Sequence, residues 1–209
     1  MGRVDFPLYL ISDRKQVRAG ALEDVVEASL KAGLRAVQLR EKDLTPRELF
    51  SIGNRFREMT NKYGAKLFIN DRVDTAMAVG ADGVHLTQNS LPTDIVRRIV
   101  GEEFLIGVST HSLSEAKEAE DGGADFITFG PVYETPSKKR YGPPVGIKAL
   151  CEVTEKIKIP VFGLGGINTP SKAKEVIDCG AYGIAMISAI ISADDVGAKT
   201  AEYLKVLER

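Results

Sequence analysis

The sequence predicts an α/β chain folded as one closed (β/α)8 barrel of the TIM type, and three observations carry that prediction. First, a Gly-hinged segment recurs four times, as AGLRAVQL (32–39), VGADGVHL (79–86), GGADFITF (122–129) and CGAYGIAM (179–186). In each copy a charged, helix-like stretch ends at a Gly and a short apolar run begins three or four residues later. Gly suits a helix end that needs positive φ, and a continuous apolar run suits a strand buried on both faces. The copies lie about 45–55 residues apart, which points to a repeated unit. Second, further apolar runs fall between them, LYLIS (8–12), KLFIN (66–70), FLIGVS (104–109) and IPVFGLGG (159–166), making eight strands. Third, eight helical patterns separate the strands. Such alternation predicts a parallel sheet, and eight units predict closure. No GxGxxG turn follows the first strand, which disfavours an open doubly wound sheet.

Taken in order, LYLIS leads to a helical pattern over 21–32, and the strand ending at 39 leads to a helix over 46–62 that opens on Pro. KLFIN leads to a helix over 71–79. The strand ending at 86 leads to a shorter helix over 92–100, with Pro in the first turn, where its missing N–H has no intrahelical partner to lose. FLIGVS leads to a helix over 112–121. The strand ending at 129 runs into a long loop, 130–146, and then a helix over 146–155. IPVFGLGG leads to a helix over 170–178, and the last strand to a helix over 195–207. With no linker or low-complexity stretch, a single domain spans 1–209.

Composition excludes several function classes. Hydrophobic content is 44% and charged content 27%, an ordinary globular balance. A net charge of −1 with pI near 6.2 gives no global pull toward nucleic acid or an anionic membrane, so any phosphate-binding cations must be local. The N-terminal apolar stretch is too short for a signal peptide. The charge-free run 179–193 has 15 residues, short of the roughly 20 that span a bilayer. Cys151 and Cys179 carry no pairing motif, so a reduced, cytoplasmic setting with free thiols is expected. The sequence sets no oligomeric state.

In a barrel the C-terminal strand ends share one mouth, where chemistry sits. Those ends read Asp13-Arg14, then Gln38, Arg40 and Lys42, then Asn70-Asp71, Gln88, Ser109-Thr110-His111, Gly130-Pro131, Gly165-Gly166 and Ile187-Ser188. Arg40 and Lys42, two apart on an extended stretch, can point to one side and grip a diphosphate; the competing reading pairs them with Glu41 or Asp43. Asp71 is a hard oxygen ligand suited to Mg2+, or else the cap of the helix that follows. The loop 130–146 carries three consecutive bases, Lys138 to Arg140, and reads as a lid or as a solvated surface loop. GLGGINTP (163–170) before a helix, with AMISA (185–189) after the next strand, fits an anion site where backbone N–H groups approach a phosphate. His85, inside GVHL, is read as a hydrogen-bonded core residue and His111 as a strand-end candidate; with no Cys or third His nearby, neither suggests zinc.

The blocks LYLISDR, VQLREKD, FINDRVD, ADGVHLTQ, IGVSTHS, FGPVYETPSK, VFGLGGI and MISAI, in this order, resemble thiamine-phosphate synthase and its close relative the thiazole tautomerase. The resemblance covers nearly the whole chain. It implies a (β/α)8 enzyme that joins hydroxymethylpyrimidine diphosphate to thiazole phosphate and releases diphosphate with Mg2+. By resemblance, Gln38, Leu39, Arg40, Glu41, Lys42, Asn70, Ser109 and Lys138 hold the pyrimidine diphosphate, and Arg40, Lys42 and Lys138 act on the leaving group. Thr135, Pro136, Ser137, Gly166, Ile187 and Ser188 would hold the thiazole phosphate, and Asp71 would ligate Mg2+.

One position departs from the synthase pattern. There a Gly-Gln-x-Asp run follows His-Leu, and its Asp is a second metal ligand. Here the run is Thr87-Gln88-Asn89-Ser90, and Ser90 has no carboxylate. The tautomerase branch lacks that Asp and carries Glu-Thr in the long loop, as Glu134-Thr135 does here; it also carries a loop His where this chain has Pro131. Three expectations follow: a Mg2+-dependent transferase, favoured by the complete 38–42 block; a metal-free isomerase using Glu134, His111 or another group as acid/base; or a non-catalytic paralogue that binds thiazole or thiamine phosphate.

Overall fold

In all four repeated segments the hinge Gly takes positive φ: 107° at Gly33, 63° at Gly80, 88° at Gly123 and 88° at Gly180. The chain turns there and reuses the helix's last carbonyls. At the third copy, for example, Gly123 N–H donates to Glu120 O at 3.0 Å and Ala124 N–H to Ala119 O at 3.0 Å. The structure, a computed structural model, describes residues 3–135 and 143–208.

The strands are β1 (Leu8–Ile11), β2 (Ala36–Leu39), β3 (Lys66–Asn70), β4 (Gly83–Leu86), β5 (Leu105–Thr110), β6 (Phe126–Phe129), β7 (Val161–Leu164) and β8 (Gly183–Met186). They pair in chain order, all parallel, and β8 closes on β1 with Leu8 opposite Ile184 and Leu10 opposite Met186. The helices are α1 (Leu22–Lys31), α2 (Pro46–Tyr63), α3 (Val73–Ala78), α4 (Thr93–Val100), α5 (Leu113–Asp121), α6 (Ile147–Lys156), α7 (Pro170–Asp178), α8 (Ser188–Ile191) and α9 (Val196–Leu207). The expected barrel is therefore present. Two elements were not expected: the single turn α8 and a 3-10 turn at Arg14–Gln16. Both are too short to carry an amphipathic period. Start signals worked where side chains cap: Thr45, Ser112, Thr169 and Asp195 each accept a first-turn N–H of α2, α5, α7 and α9.

Strand alternation divides the core in two. Leu8, Leu10, Val37, Leu39, Leu67 and Ile69 face the helices, whereas Phe6, Tyr9, Ile11, Phe68, Phe126 and Phe162 fill the barrel. Five of the inner rings, Phe6, Tyr9, Phe68, Phe126 and Phe162, pack with centroids 5.3–6.2 Å apart. Three of the phenylalanines sit opposite a glycine of a neighbouring strand: Phe68 with Gly83, Phe126 with Gly107, Phe162 with Gly183. A Cβ at Gly107 would lie 2.4 Å from the Phe126 ring, so the missing side chain is what admits the aromatic one.

The free-thiol expectation is corrected: Cys151 on α6 and Cys179 at the C-terminal cap of α7 form a disulfide. Successive barrel helices lie side by side and bring their Cα atoms to 4.8 Å, a proximity that a separation of 28 residues does not disclose. Among the described residues no helix is long and apolar enough to cross a membrane.

Candidate active site

Because all eight strands run parallel in one closed barrel, the residues after their C-terminal ends open on one face. Ser12, directly after β1, organises the exit from β2. Its Oγ accepts the N–H of Arg40 at 2.8 Å and donates to Glu41 at 2.7 Å. Glu41 is buried and also takes the backbone N–H and the guanidinium of Arg14, at 3.1 and 3.0 Å. Asp43 receives both arms of the Arg14 fork, at 2.7 and 2.9 Å, and Lys15 at 2.8 Å. These partners hold the Asp43 carboxyl well below the usual carboxylate range. The two acids that could have neutralised Arg40 are thus engaged elsewhere, and Arg40 has no ion-pair partner among the described residues. Lys42 beside it is exposed. Leu39 turns its side chain into the layer between strands and helices, so only its backbone can serve the mouth.

After β3, Asn70 is half-buried and Asp71 adopts φ 64°, the only non-glycine with positive φ among the described residues. That conformation is uncommon outside Gly, and it is held here by the Asp71 N–H donating to His85 O at 2.9 Å. Asp71 does not cap α3, whose cap position is Arg72 with no side-chain bond. Its Oδ1 instead accepts from Ser90 Oγ. Ser90 closes the turn after β4, where its Oγ takes the Thr87 N–H at 2.8 Å and lies 3.2 Å from Thr87 Oγ1. Residue 90 therefore stands beside Asp71.

The donor set near Asp71 is one carboxylate, the Asn70 amide and the Ser90 hydroxyl. No group of three or more His, Cys, Asp or Glu residues that could hold a metal is found among the described residues. Such a set fits a hard cation shared with substrate phosphates, and not a cage built by protein alone.

Gln38 is buried at the end of β2, and its Nε2 donates to Tyr9 Oη at 3.1 Å. Tyr9 Oη lies 3.4 Å from His85 Nδ1, and His85 Nε2 lies 3.0 Å from Ser109 Oγ and 3.5 Å from Thr128 Oγ1. The expected core role of His85 is what the structure gives. Burial, and behind it the positive charge of Arg40, pull its imidazole down to about 3. Burial pushes the Tyr9 phenol up. His111 is separate: it precedes α5, and its Nδ1 lies 4.0 Å from Glu115 in the first turn of that helix.

On the opposite side of the mouth, the chain after β6 lies along the turn after β7. Val132 N–H donates to Leu164 O at 2.8 Å and Tyr133 N–H to Gly165 O at 3.0 Å. A Cβ on Gly166, at φ 69°, would meet Tyr133 Cβ at 2.6 Å and Glu134 O at 2.7 Å, so only Gly permits this approach. Thr135, the next residue, is thereby brought to the Gly166 turn. Lys172 of α7 donates to Gly166 O at 3.2 Å and lies 4.8 Å from the Tyr133 ring centre. Ile187 and Ser188 open α8 on the adjacent strand. Pro136, Ser137 and Lys138 lie outside the described residues.

The structure thus gathers Gln38, Arg40, Asn70, Asp71, Ser90 and Ser109 on one side of the rim, and Thr135, Gly166, Ile187 and Ser188 on the other. Sequence reasoning missed Ser12, Tyr9, Thr87 and Lys172. Ser12 could have been found as the polar residue ending the first strand; Tyr9 lies inside an apolar run and gave no signal.

A family model described as thiamine monophosphate synthase matches residues 8–190. A putative thiamine-phosphate synthase of Geobacter sulfurreducens is 50% identical over 207 residues, 99% of this chain and 97% of that protein. Thiamine-phosphate synthase of Clostridium novyi is 43% identical over 193 residues, 92% of this chain and 94% of that protein. Among solved structures, thiamine phosphate pyrophosphorylase from Pyrococcus furiosus superposes with TM-score 0.88 at 39% identity, covering 97% of this chain and 95% of that one. Blocks read at the strand ends, a closed eight-stranded barrel and full-length relatives agree, and the chain belongs to the thiamine monophosphate synthase family.

Proposed function

We propose that this chain is the transferase of thiamine biosynthesis that joins hydroxymethylpyrimidine diphosphate to a thiazole phosphate. The observation that carries the proposal is Arg40, fixed at the rim by Ser12 while Glu41 and Asp43 are committed to Arg14 and Lys15. A half-buried guanidinium left without a counter-ion among the described residues is a place for a phosphate.

In this reading the bond between the pyrimidine methylene carbon and the diphosphate oxygen breaks, and its electron pair leaves with diphosphate. The thiazole nitrogen then supplies the pair for the new C–N bond. No protein nucleophile is required; the protein positions the two rings and neutralises departing charge. Arg40, Lys42 and Lys138 take that charge, with Asn70 beside them. Gln38 and Ser109 hold the pyrimidine diphosphate, together with the backbone of Leu39 and Glu41. Thr135, Pro136, Ser137, Gly166, Ile187 and Ser188 hold the thiazole phosphate. Asp71 would hold Mg2+ jointly with phosphate oxygens, and the ion when bound supplies further positive charge at the leaving group. The segment 130–146 is the proposed cover that keeps water off the carbocation. A cytoplasmic setting belongs to this reading, because both substrates are charged phosphates that do not cross a bilayer unaided.

The test is purified protein with both substrates, with and without Mg2+. Metal-dependent release of diphosphate with formation of thiamine phosphate is the expected result. Conversion of the thiazole alone would make the chain an isomerase, and binding without either reaction a non-catalytic paralogue.

A further inference from the structure

Four side chains form one hydrogen-bonded line beneath the mouth: Gln38 Nε2 to Tyr9 Oη at 3.1 Å, Tyr9 Oη to His85 Nδ1 at 3.4 Å, and His85 Nε2 to Ser109 Oγ at 3.0 Å. Gln38, Tyr9 and His85 are each no more than 1% exposed, whereas Ser109 is half-buried at the end of β5. The line connects two residues assigned to the pyrimidine diphosphate through two that are not.

Its direction follows from counting protons. A phenol carries one. Tyr9 accepts from the Gln38 amide, so its own proton is directed to Nδ1 of His85. A neutral imidazole carries one N–H, and with Nδ1 accepting that proton sits on Nε2 and donates to Ser109. Ser109 then accepts from below and keeps its hydroxyl proton for the mouth. With the opposite tautomer Ser109 would spend its proton on His85 and turn only lone pairs toward an anion.

We infer that Tyr9 and His85 are positioning residues: acting through this line, they hold Ser109 as a hydrogen-bond donor, and Gln38 with its amide oxygen free to accept, toward the pyrimidine diphosphate. The inference rests on the synthase reading for the identity of that ligand. It does not rest on it for the tautomer.

The chain has two histidines, so 15N-histidine labelling gives two imidazole spin systems, and loss of one in His111→Gln assigns the other to His85. The expected spectrum places the His85 proton on Nε2. Tyr9→Phe keeps the ring and removes the donor to Nδ1. Its His85 is expected to become a mixture of tautomers, and its affinity for hydroxymethylpyrimidine diphosphate, by calorimetry, to fall about tenfold while the melting temperature stays close to wild type. His85→Gln, whose amide N–H reaches as far as Nε2, is expected to keep most of the affinity, and the shorter His85→Asn to lose it. A proton on Nδ1 in the wild type, or a Tyr9→Phe protein with unaltered tautomer and affinity, overturns the inference. Absence of transferase activity alongside an Nε2 proton removes the synthase reading and leaves the directed line in place.

Discussion

Ser90 gives its hydroxyl proton to Oδ1 of Asp71 while its oxygen receives the backbone N–H of Thr87 at 2.8 Å. The side chain at 90 is thus within bonding reach of Asp71, the carboxylate proposed to hold the metal. Ser90→Asp is expected to raise Mg2+ affinity in the presence of diphosphate at least about tenfold, since it doubles the anionic ligands a hard cation can use. Titration calorimetry of both proteins with Mg2+ and inorganic diphosphate checks it. Equal affinities would show that residue 90 does not face the ion.

Gly107→Ala is expected to destabilise the barrel by about 2 kcal/mol or more, the cost typical of forcing extra carbon into a packed core. The added Cβ would stand 2.4 Å from the Phe126 ring and 2.6 Å from His85 Nδ1, two buried rings that already pack on each other and on Tyr9. Thermal and urea unfolding measure the loss; a melting temperature equal to wild type would mean that the rings shift freely.

Lys138→Ala is expected to lower kcat/KM about a hundredfold or more, the loss that its proposed part in neutralising the leaving group implies. Its melting temperature should stay within about a degree, as is usual when a substitution acts on charge and not on the core. A matching fall in stability would reassign Lys138 to structure.

Glu27 links α1 to α2 through Lys62 at 2.9 Å and the Tyr63 hydroxyl at 2.8 Å, and these bonds lower its pKa from 4.5 to about 2. A carboxyl whose folded pKa is depressed adds stability above its unfolded pKa and loses it as pH falls through the folded one. The advantage of wild type over Glu27→Gln should therefore be full above about pH 5 and vanish toward pH 2. Urea midpoints across that range check the sign, and a gap that widens on acidification would contradict it.

The barrel was legible because its signals are local. A Gly three or four residues before an apolar run marks a hinge at Gly33, Gly80, Gly123 and Gly180 alike, and each takes the positive φ that this reading requires. The strand ends were legible for the same reason: once the strands are placed, parallel closure puts Arg40, Asp71 and Gly166 on one face. What escaped is non-local. Glu41 meets Arg14 across 27 positions, so the sequence could not say whether it would neutralise Arg40 instead. Asp71 by itself reads more readily as a helix cap, and the structure instead gives its carboxylate to Ser90, 19 positions on. The pairing of Cys151 with Cys179 needed two helices to be neighbours. Tyr9 escaped because an apolar run does not announce which of its alternate residues point inward.

The ring cluster at the base of the barrel also determines how water communicates with the interior. Phe6, Phe68, Phe126 and Phe162 are fully buried and pack around Tyr9 inside the barrel. Of the residues on the hydrogen-bonded line only Ser109 is half-buried, so the proposed ligand at the rim would cover the line's partly open end. Deuterium should therefore enter the Tyr9 hydroxyl and the His85 ring more slowly once the mouth is filled.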